Sequence, residues 1–247
     1  MALNTDRRYM SRSQAEAAQI DVGLRSYMLR VYNLMASGLV LSGIVAWVIV
    51  NVPAVTGLFY ATQGGQVVGM SLLGTIGMWS PLIVLFAAMF MIRSASAAVV
   101  QGMYWLFVAL QGIGLSLLLQ IYTGESIVRV FFITAATFAA LSLYGYTTKR
   151  NLGAMASFLI MGLFGILIAA IVNIFLASSL LQFVISGVGV LVFAGLTAYD
   201  TQRIKEEYDV TMDGETMSKT ATWGALSLYI NFINLLQFLL FFLGQRE

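Results

Sequence analysis

The sequence predicts an all-α membrane protein with seven transmembrane helices, and three observations predict it. Hydrophobic residues fill 60% of the 247 positions and charged residues only 10%, giving a mean hydropathy of +0.87; soluble domains are about 25% charged. The charges are gathered into short clusters separated by apolar runs long enough to cross a bilayer. Lys and Arg occupy alternate clusters, as they do where loops alternate between the two sides of a membrane. No water-soluble fold hides this much apolar surface, so the solvent of most of the chain is lipid.

Uncharged runs locate the spans, because an ionised side chain at the bilayer centre costs roughly 2.5–3.5 kcal/mol even on the lenient insertion scale. Residues 1–30 are polar and carry Arg7, Arg8, Arg12, Glu16, Asp21, Arg25 and Arg30. They read as a cytoplasmic tail without the short apolar core of a signal peptide. Val31 to Ile92 lacks any charge and is about three times the roughly 20 residues that cross a bilayer. Asn51, Pro53 and Gln63-Gly64-Gly65-Gln66 divide it into spans near 31–50 and 70–92. The third and fourth spans, near 98–121 and 127–146, are separated by Gly124-Glu125-Ser126.

Asn151 to Tyr199 is again uncharged, and Ala177-Ser178-Ser179 breaks it into spans near 154–176 and 180–199. Asp200 to Lys219 is the most charged segment and reads as an aqueous loop that begins as a helical extension of the sixth span. A seventh span near 223–243 ends the chain, so that 31–247 forms one transmembrane bundle. Arg93, Lys149 with Arg150, and Arg203 with Lys205 and Lys219 lie on the side of the N-terminal arginines. The segments 51–69, 122–126 and 177–179 carry neither Lys nor Arg. The expected topology is multi-pass in the plasma (inner) membrane, N-terminus cytoplasmic and C-terminus outside, with Arg129 snorkelling outward.

Several chemistries are excluded. The chain has no cysteine and no histidine, which removes disulfides, thiolate or imidazole metal sites and nucleophilic triads built on Cys or His. The 13 basic and 11 acidic residues nearly balance and form no nucleic-acid footprint. No Walker A pattern precedes any lysine, and the seventh span holds no lysine for a retinal Schiff base. Only one span ends on an acid, so a pair of opposed intramembrane carboxylates for proteolysis is missing. The expectation is a non-enzymatic protein with no cofactor and no metal site.

Seven polar or charged positions stand out against this apolar background. Asp200 closes the sixth span with Arg203 one turn on, on the same helical face. The pair is either an interfacial anchor that sets helix depth or a titratable gate. Arg93, at the matching depth, is either a partner for Asp200 across the bundle or a positive-inside anchor. Ser227, Asn231 and Asn234 stand at i, i+4 and i+7 on the seventh span, with Gln237 adjoining. Lipid offers no hydrogen-bond partners, so this stripe faces protein or water, as interhelical bonding or as the lining of a hydrated path. The acidic stretch 206–215 is either a concentrator of cations at the cytoplasmic mouth or a solvated linker, the latter favoured because its spacing matches no EF-hand. Gly65 with Gly69, Gly165 with Ala169, and Gly187, Gly189 and Gly195 predict close helix approach.

The stretches GLTAYDTQRIKEEY (195–208) and ALSLYINFINLLQFLLFFLG (225–244) resemble the Bax inhibitor-1 family. So do YTGESI (122–127) and TAATFAALSLYGYTTKRNLG (134–153), and the resemblance runs from the first span to the end. It implies six helices surrounding a central seventh, a passive calcium leak, and a pH-sensitive latch of two aspartates near the cytoplasmic side. Asp200 matches the first of these, in AYD; the second belongs to a YLDFINL pattern, and the matching residue here is Asn231, in YINFINL. Two close carboxylates titrate as a coupled pair, whereas an Asp–Asn pair has one proton site. The expected function is therefore a pH-modulated cation leak with an altered latch, calcium being the permeant ion implied by the resemblance. The alternative is a non-conducting regulator whose partner is a membrane protease or another membrane complex.

Overall fold

The computed structural model describes residues 12–63, 66–91 and 95–245. Among them are eight helices: α1 (Arg12–Asn51), α2 (Pro53–Phe59), α3 (Leu72–Met91), α4 (Ala97–Ile121), α5 (Gly124–Thr147), α6 (Gly153–Leu176), α7 (Ser179–Glu206) and α8 (Gly214–Leu243). All but α2 are long and apolar enough to cross a membrane. Strands β1 (Tyr60–Gln63) and β2 (Gln66–Met70) form an antiparallel hairpin between α2 and α3. The two ends of the bundle are called here the hairpin end and the loop end, the latter for residues 207–213 between α7 and α8.

The last helix is central. In its membrane window 56% of residues are buried, against 11% in α6. Helices α1, α4, α5 and α7 pack directly on α8, while α3 rests on α4 and α6 on α7. The outer surface is apolar, with Phe90, Phe158, Ile174, Phe175 and Leu191 exposed. Such a surface suits hydrocarbon, and every transmembrane element is a helix because only an internally bonded backbone is tolerated there.

Local chemistry explains where the helices stop. Pro53 opens α2 at a position where its missing N–H costs nothing. Ala177 ends α6 in the left-handed region (φ 48°), and the Ser178 hydroxyl then caps α7 by accepting from the Leu181 amide. Asp213 caps α8 by accepting from the Thr216 amide at 2.8 Å. Inside α3, Pro81 leaves the Gly77 carbonyl without its usual donor, and the Ser80 hydroxyl donates to that carbonyl at 2.6 Å.

Three expectations are corrected. From Arg12 onward the expected polar tail is already helix, continuous with the first span over 40 residues. Ala15, Ala17 and Ala18 favour helix, and the buried Tyr27 and Met28 tie the segment to the bundle; residues 1–11 lie outside the described residues. The segment expected as a loop before 70 contains α2 and the hairpin, pinned to α4 by a hydrogen bond of 2.7 Å between the Tyr60 and Ser116 hydroxyls. The seventh span starts at Gly214, well before 223, because Asp213 caps it and Ser218 and Thr222 are buried in the bundle. The charged loop thereby shrinks to residues 207–213.

The glycine expectations divide. Gly65 lies outside the described residues, and Gly69 sits in β2 with open space around it, as does Gly165 in α6. By contrast, a methyl group on Gly145 of α5 would meet the Ala198 carbonyl oxygen of α7. That close approach brings α5 and α7 together beside the polar cluster described next.

Candidate functional site

On α7 the 3.6-residue period places Asp200 and Arg203 on one face, and on α8 it places Ser227 and Asn231 on the face opposite. The two antiparallel helices bring all four together. The Asn231 amide donates to Asp200 Oδ2 at 2.7 Å, and Arg203 Nη2 meets Asp200 Oδ1 at 2.9 Å. The same nitrogen donates to the Ser227 hydroxyl at 3.0 Å. Each carboxylate oxygen of Asp200 thus has its own donor, one cationic and one neutral.

Burial decides how strongly this matters. The Asp200 side chain is 13% exposed, and Asn231 is buried. A carboxylate withdrawn from water survives only when paired and hydrogen-bonded, and bonds to charged groups contribute about 1.5–3 kcal/mol. An aspartate at 231 would set two carboxylates in contact, a geometry that requires a shared proton or a counter-ion. Asn231 relieves that requirement and supplies a donor.

Around the cluster the loop end adds further groups. Arg203 Nη1 approaches Glu207 Oε1 at 3.8 Å. Burial pushes the Glu207 carboxyl above its ordinary value, with Arg203 opposing the shift and Asp200 adding to it. Tyr27 of α1 packs its ring 5.4 Å from that of Tyr208. Among the described residues Arg203 Nε and the Tyr27 hydroxyl, both buried, find no hydrogen-bond partner. A vestibule of about 510 Å³ opens beside Arg203, Glu207, Trp223 and Ser227. Lys219, on its wall, is paired with Glu215 at 3.1 Å.

The polar stripe of α8 is divided between two spaces. Ser227 belongs to the vestibule; Asn234 and Gln237 line a crevice of about 420 Å³ between α3, α4 and α8. The Asn234 amide donates to its own helix, to the Ile230 carbonyl at 2.8 Å. Between vestibule and crevice lies a cavity of about 20 Å³ walled by Val84, Leu85, Phe107, Trp223 and Leu226. It shares Trp223 with the vestibule, and Leu85 and Phe107 with the crevice. Three spaces therefore adjoin along α8, and the one that shares walls with both others is small and mainly apolar.

Arg93 lies outside the described residues. Some polar groups escaped the sequence reading. Gln111 of α4 faces Asn234 and Gln237 across the crevice. Ser42 of α1 donates to the Val108 carbonyl and bonds the Tyr229 hydroxyl. Tyr32, Ser142 and Thr201 link α1, α5 and α7 through hydroxyl contacts of 2.6 and 3.0 Å. Their only signal was a polar residue inside an apolar run. Among the described residues no three carboxylates gather where they could hold a metal ion.

Comparison with known proteins adds an independent finding. The pattern of the family described as inhibitor of apoptosis-promoting Bax1 matches residues 24–247. A protein of Caulobacter vibrioides is 47% identical over 230 residues, covering 92% of each chain. One from Rickettsia prowazekii is 42% identical over 227 residues, again 92% of each. The inner membrane protein YbhL of Escherichia coli is 41% identical over 228 residues, 91% of this chain and 94% of that one.

Proposed function

The chain belongs to the Bax inhibitor-1 family, and from that premise we propose that it is a passive, pH-modulated cation leak of the inner membrane, described here in a closed state. The inner membrane is the location that the name of the E. coli relative gives for that protein. In this reading the loop end faces the cytoplasm, where Lys149, Arg150, Lys205 and Lys219 accumulate.

The observation that carries the proposal is the row of three spaces along α8. The crevice at one end is lined by Gln111, Asn234 and Gln237, neutral oxygens and amides suited to a partly hydrated cation. The vestibule at the other ends on Arg203, which the buried Asp200 holds. The apolar middle, with Phe107, Trp223 and Leu226, blocks ions by excluding water. Conduction requires that α3 or α8 shift to widen it. The Asp200–Arg203–Asn231 cluster ties α8 to α7 and so opposes a shift of α8. Calcium is the permeant ion we favour, with Asp200 the single titratable member of the latch pair.

Calcium entry into dye-loaded liposomes carrying the purified protein tests this across pH. Wild type is expected to exceed protein-free liposomes, with Asp200→Asn raising the leak at neutral pH and Asn231→Asp steepening its pH dependence. If no variant passes any cation above the protein-free control, the leak reading is wrong and regulation of a membrane protein partner takes its place. A steep response near neutral pH that survives Asp200→Asn would remove Asp200 as the sensor.

A further inference from the structure

We infer that the seam between α1 and α5 holds one anionic phospholipid at the loop end of the bundle. Both helices pack on α8, yet they do not pack substantially on each other. Among the described residues one side-chain hydrogen bond crosses the seam, between the Tyr32 and Ser142 hydroxyls at 2.6 Å. Elsewhere the seam is open.

At the loop end the opening is a groove of about 550 Å³, within the roughly 300–1,000 Å³ of ordinary small-ligand sites. Its walls are apolar: Met28 and Leu29 on α1, Phe138, Ala139 and Leu143 on α5. Leu29 and Leu143 are more than half exposed at its lips, so the groove opens sideways toward hydrocarbon and not toward the centre of the bundle. Arg25 to Tyr32 spans two turns, about 10 Å of rise, which matches a stretch of acyl chain lying along the helices.

The polar end of the groove selects the head. Arg25 lines it, is exposed, and makes no ion pair with any side chain described from residue 22 onward. Tyr146 closes the α5 side, and Lys149 and Arg150 follow three and four residues later. Lys205 is held against this corner, donating to the Tyr146 carbonyl at 2.8 Å and lying 5.1 Å from the centre of its ring. Among the described side chains no acidic one lines the groove. A tail-shaped apolar slot ending in cations fits a lipid with an anionic phosphate head, and its described lining offers a zwitterionic head no carboxylate for its ammonium group.

The other half of the same seam supplies a control. There a groove of about 150 Å³, lined by Leu39, Gly43, Ala46, Phe131, Leu236 and others, carries no charged residue.

Native mass spectrometry of the purified protein, equilibrated with equal phosphatidylglycerol and phosphatidylcholine, tests the assignment. One bound phosphatidylglycerol is expected, retained at least several-fold over phosphatidylcholine. Arg25→Gln should abolish that preference, and Arg25→Lys should restore part of it. Ala139→Trp should displace both lipids, since Ala139 is exposed and its replacement fills the groove without disturbing the core. Ala46→Leu, at the other half, should leave the preference intact. Water-soluble glycerol phosphate should not compete, because the slot supplies the binding of the tail. Equal retention of the two lipids by wild type, or a preference untouched by both Arg25→Gln and Ala139→Trp, overturns the inference. So does a mass showing that a second copy of the chain covers the seam.

Discussion

The two halves of the central helix solve the burial of polar groups in opposite ways. Toward the loop end, Ser227 and Asn231 are drawn into a charged cluster in which each oxygen of Asp200 is spoken for. Toward the hairpin end, Asn234 bonds among the described residues only to the Ile230 carbonyl of its own helix, and Gln237 and Gln111 face an open crevice. One half is held by side-chain bonds between α7 and α8, and the other borders a roomy, largely apolar crevice with three amide side chains on its wall. The contrast locates resistance to movement in α7 and α8 near Asp200 and leaves the opposite half as a preformed cavity. Substitutions in the two halves should therefore differ in kind as well as in size.

The largest effect is expected at Arg203. Arg203→Ala leaves the carboxylate of Asp200 buried without its cation, and breaking a buried pair from one side costs about 3–5 kcal/mol. Arg203 is itself 39% exposed, and water partly replaces it, so roughly 2–3 kcal/mol is the expected loss. Thermal unfolding in detergent would read it; a melting temperature equal to wild type would mean that the cluster holds nothing. Next comes Asn231→Leu, which keeps the γ-branched shape and removes the amide donor to a charged acceptor, at about 1.5–3 kcal/mol. Its melting temperature should fall less than that of Arg203→Ala, and a larger fall would place the main restraint on the amide.

Gln237→Leu should reverse this balance. With no interhelical bond to lose among the described residues, its stability should stay within about 0.5 kcal/mol of wild type, while calcium flux falls because the crevice loses one of its amide side chains. A clear drop in melting temperature with unchanged flux would erase the distinction between the two halves.

How much of this could be read from the sequence depends on what lipid makes expensive. Charge at the bilayer centre is costly, so Val31–Ile92 and Asn151–Tyr199 announced their spans, and Ala177-Ser178-Ser179 its turn. The Asp200–Arg203 pair was legible because i,i+3 neighbours share a face whatever the tertiary fold. The approach of Asn231 to Asp200 was not legible from composition or periodicity; it came from the resemblance of YINFINL to a family pattern. Spans that are apolar all round do not encode which face turns toward which neighbour, and so the Tyr32–Ser142–Thr201 link and the place of Gln111 stayed hidden. The hairpin at 60–70 was missed because a polar, glycine-containing stretch reads as a break between spans, and its anchor, Ser116, lies inside a helix far along the chain.

The smallest predicted effect separates the buried cluster from the exposed cap next to it. Asp213 accepts from the Thr216 amide and hydroxyl region at the first turn of α8, and this hydrogen bonding holds its carboxyl below the ordinary aspartate value of 3.8. Asp209 is lowered in the same way by the backbone and side chain of Thr211. A depressed folded-state value means that the stabilisation is complete above the ordinary value and is lost as pH falls through the depressed one. Acid should therefore fray the start of α8 only below about pH 4. Asp213→Asn keeps a capping oxygen that does not titrate, and hydrogen exchange at residues 214–218 should then lose most of its acid dependence. An acid response of the loop end that persists at higher pH when Asp213→Asn is combined with Glu206→Gln, Asp209→Asn and Glu215→Gln comes from the interior groups, Asp200 and Glu207, and not from the exposed carboxylates. If instead the whole response disappears with Asp213→Asn, the cluster between α7 and α8 is not a pH sensor, and the difference between the two halves of the central helix is one of stability alone.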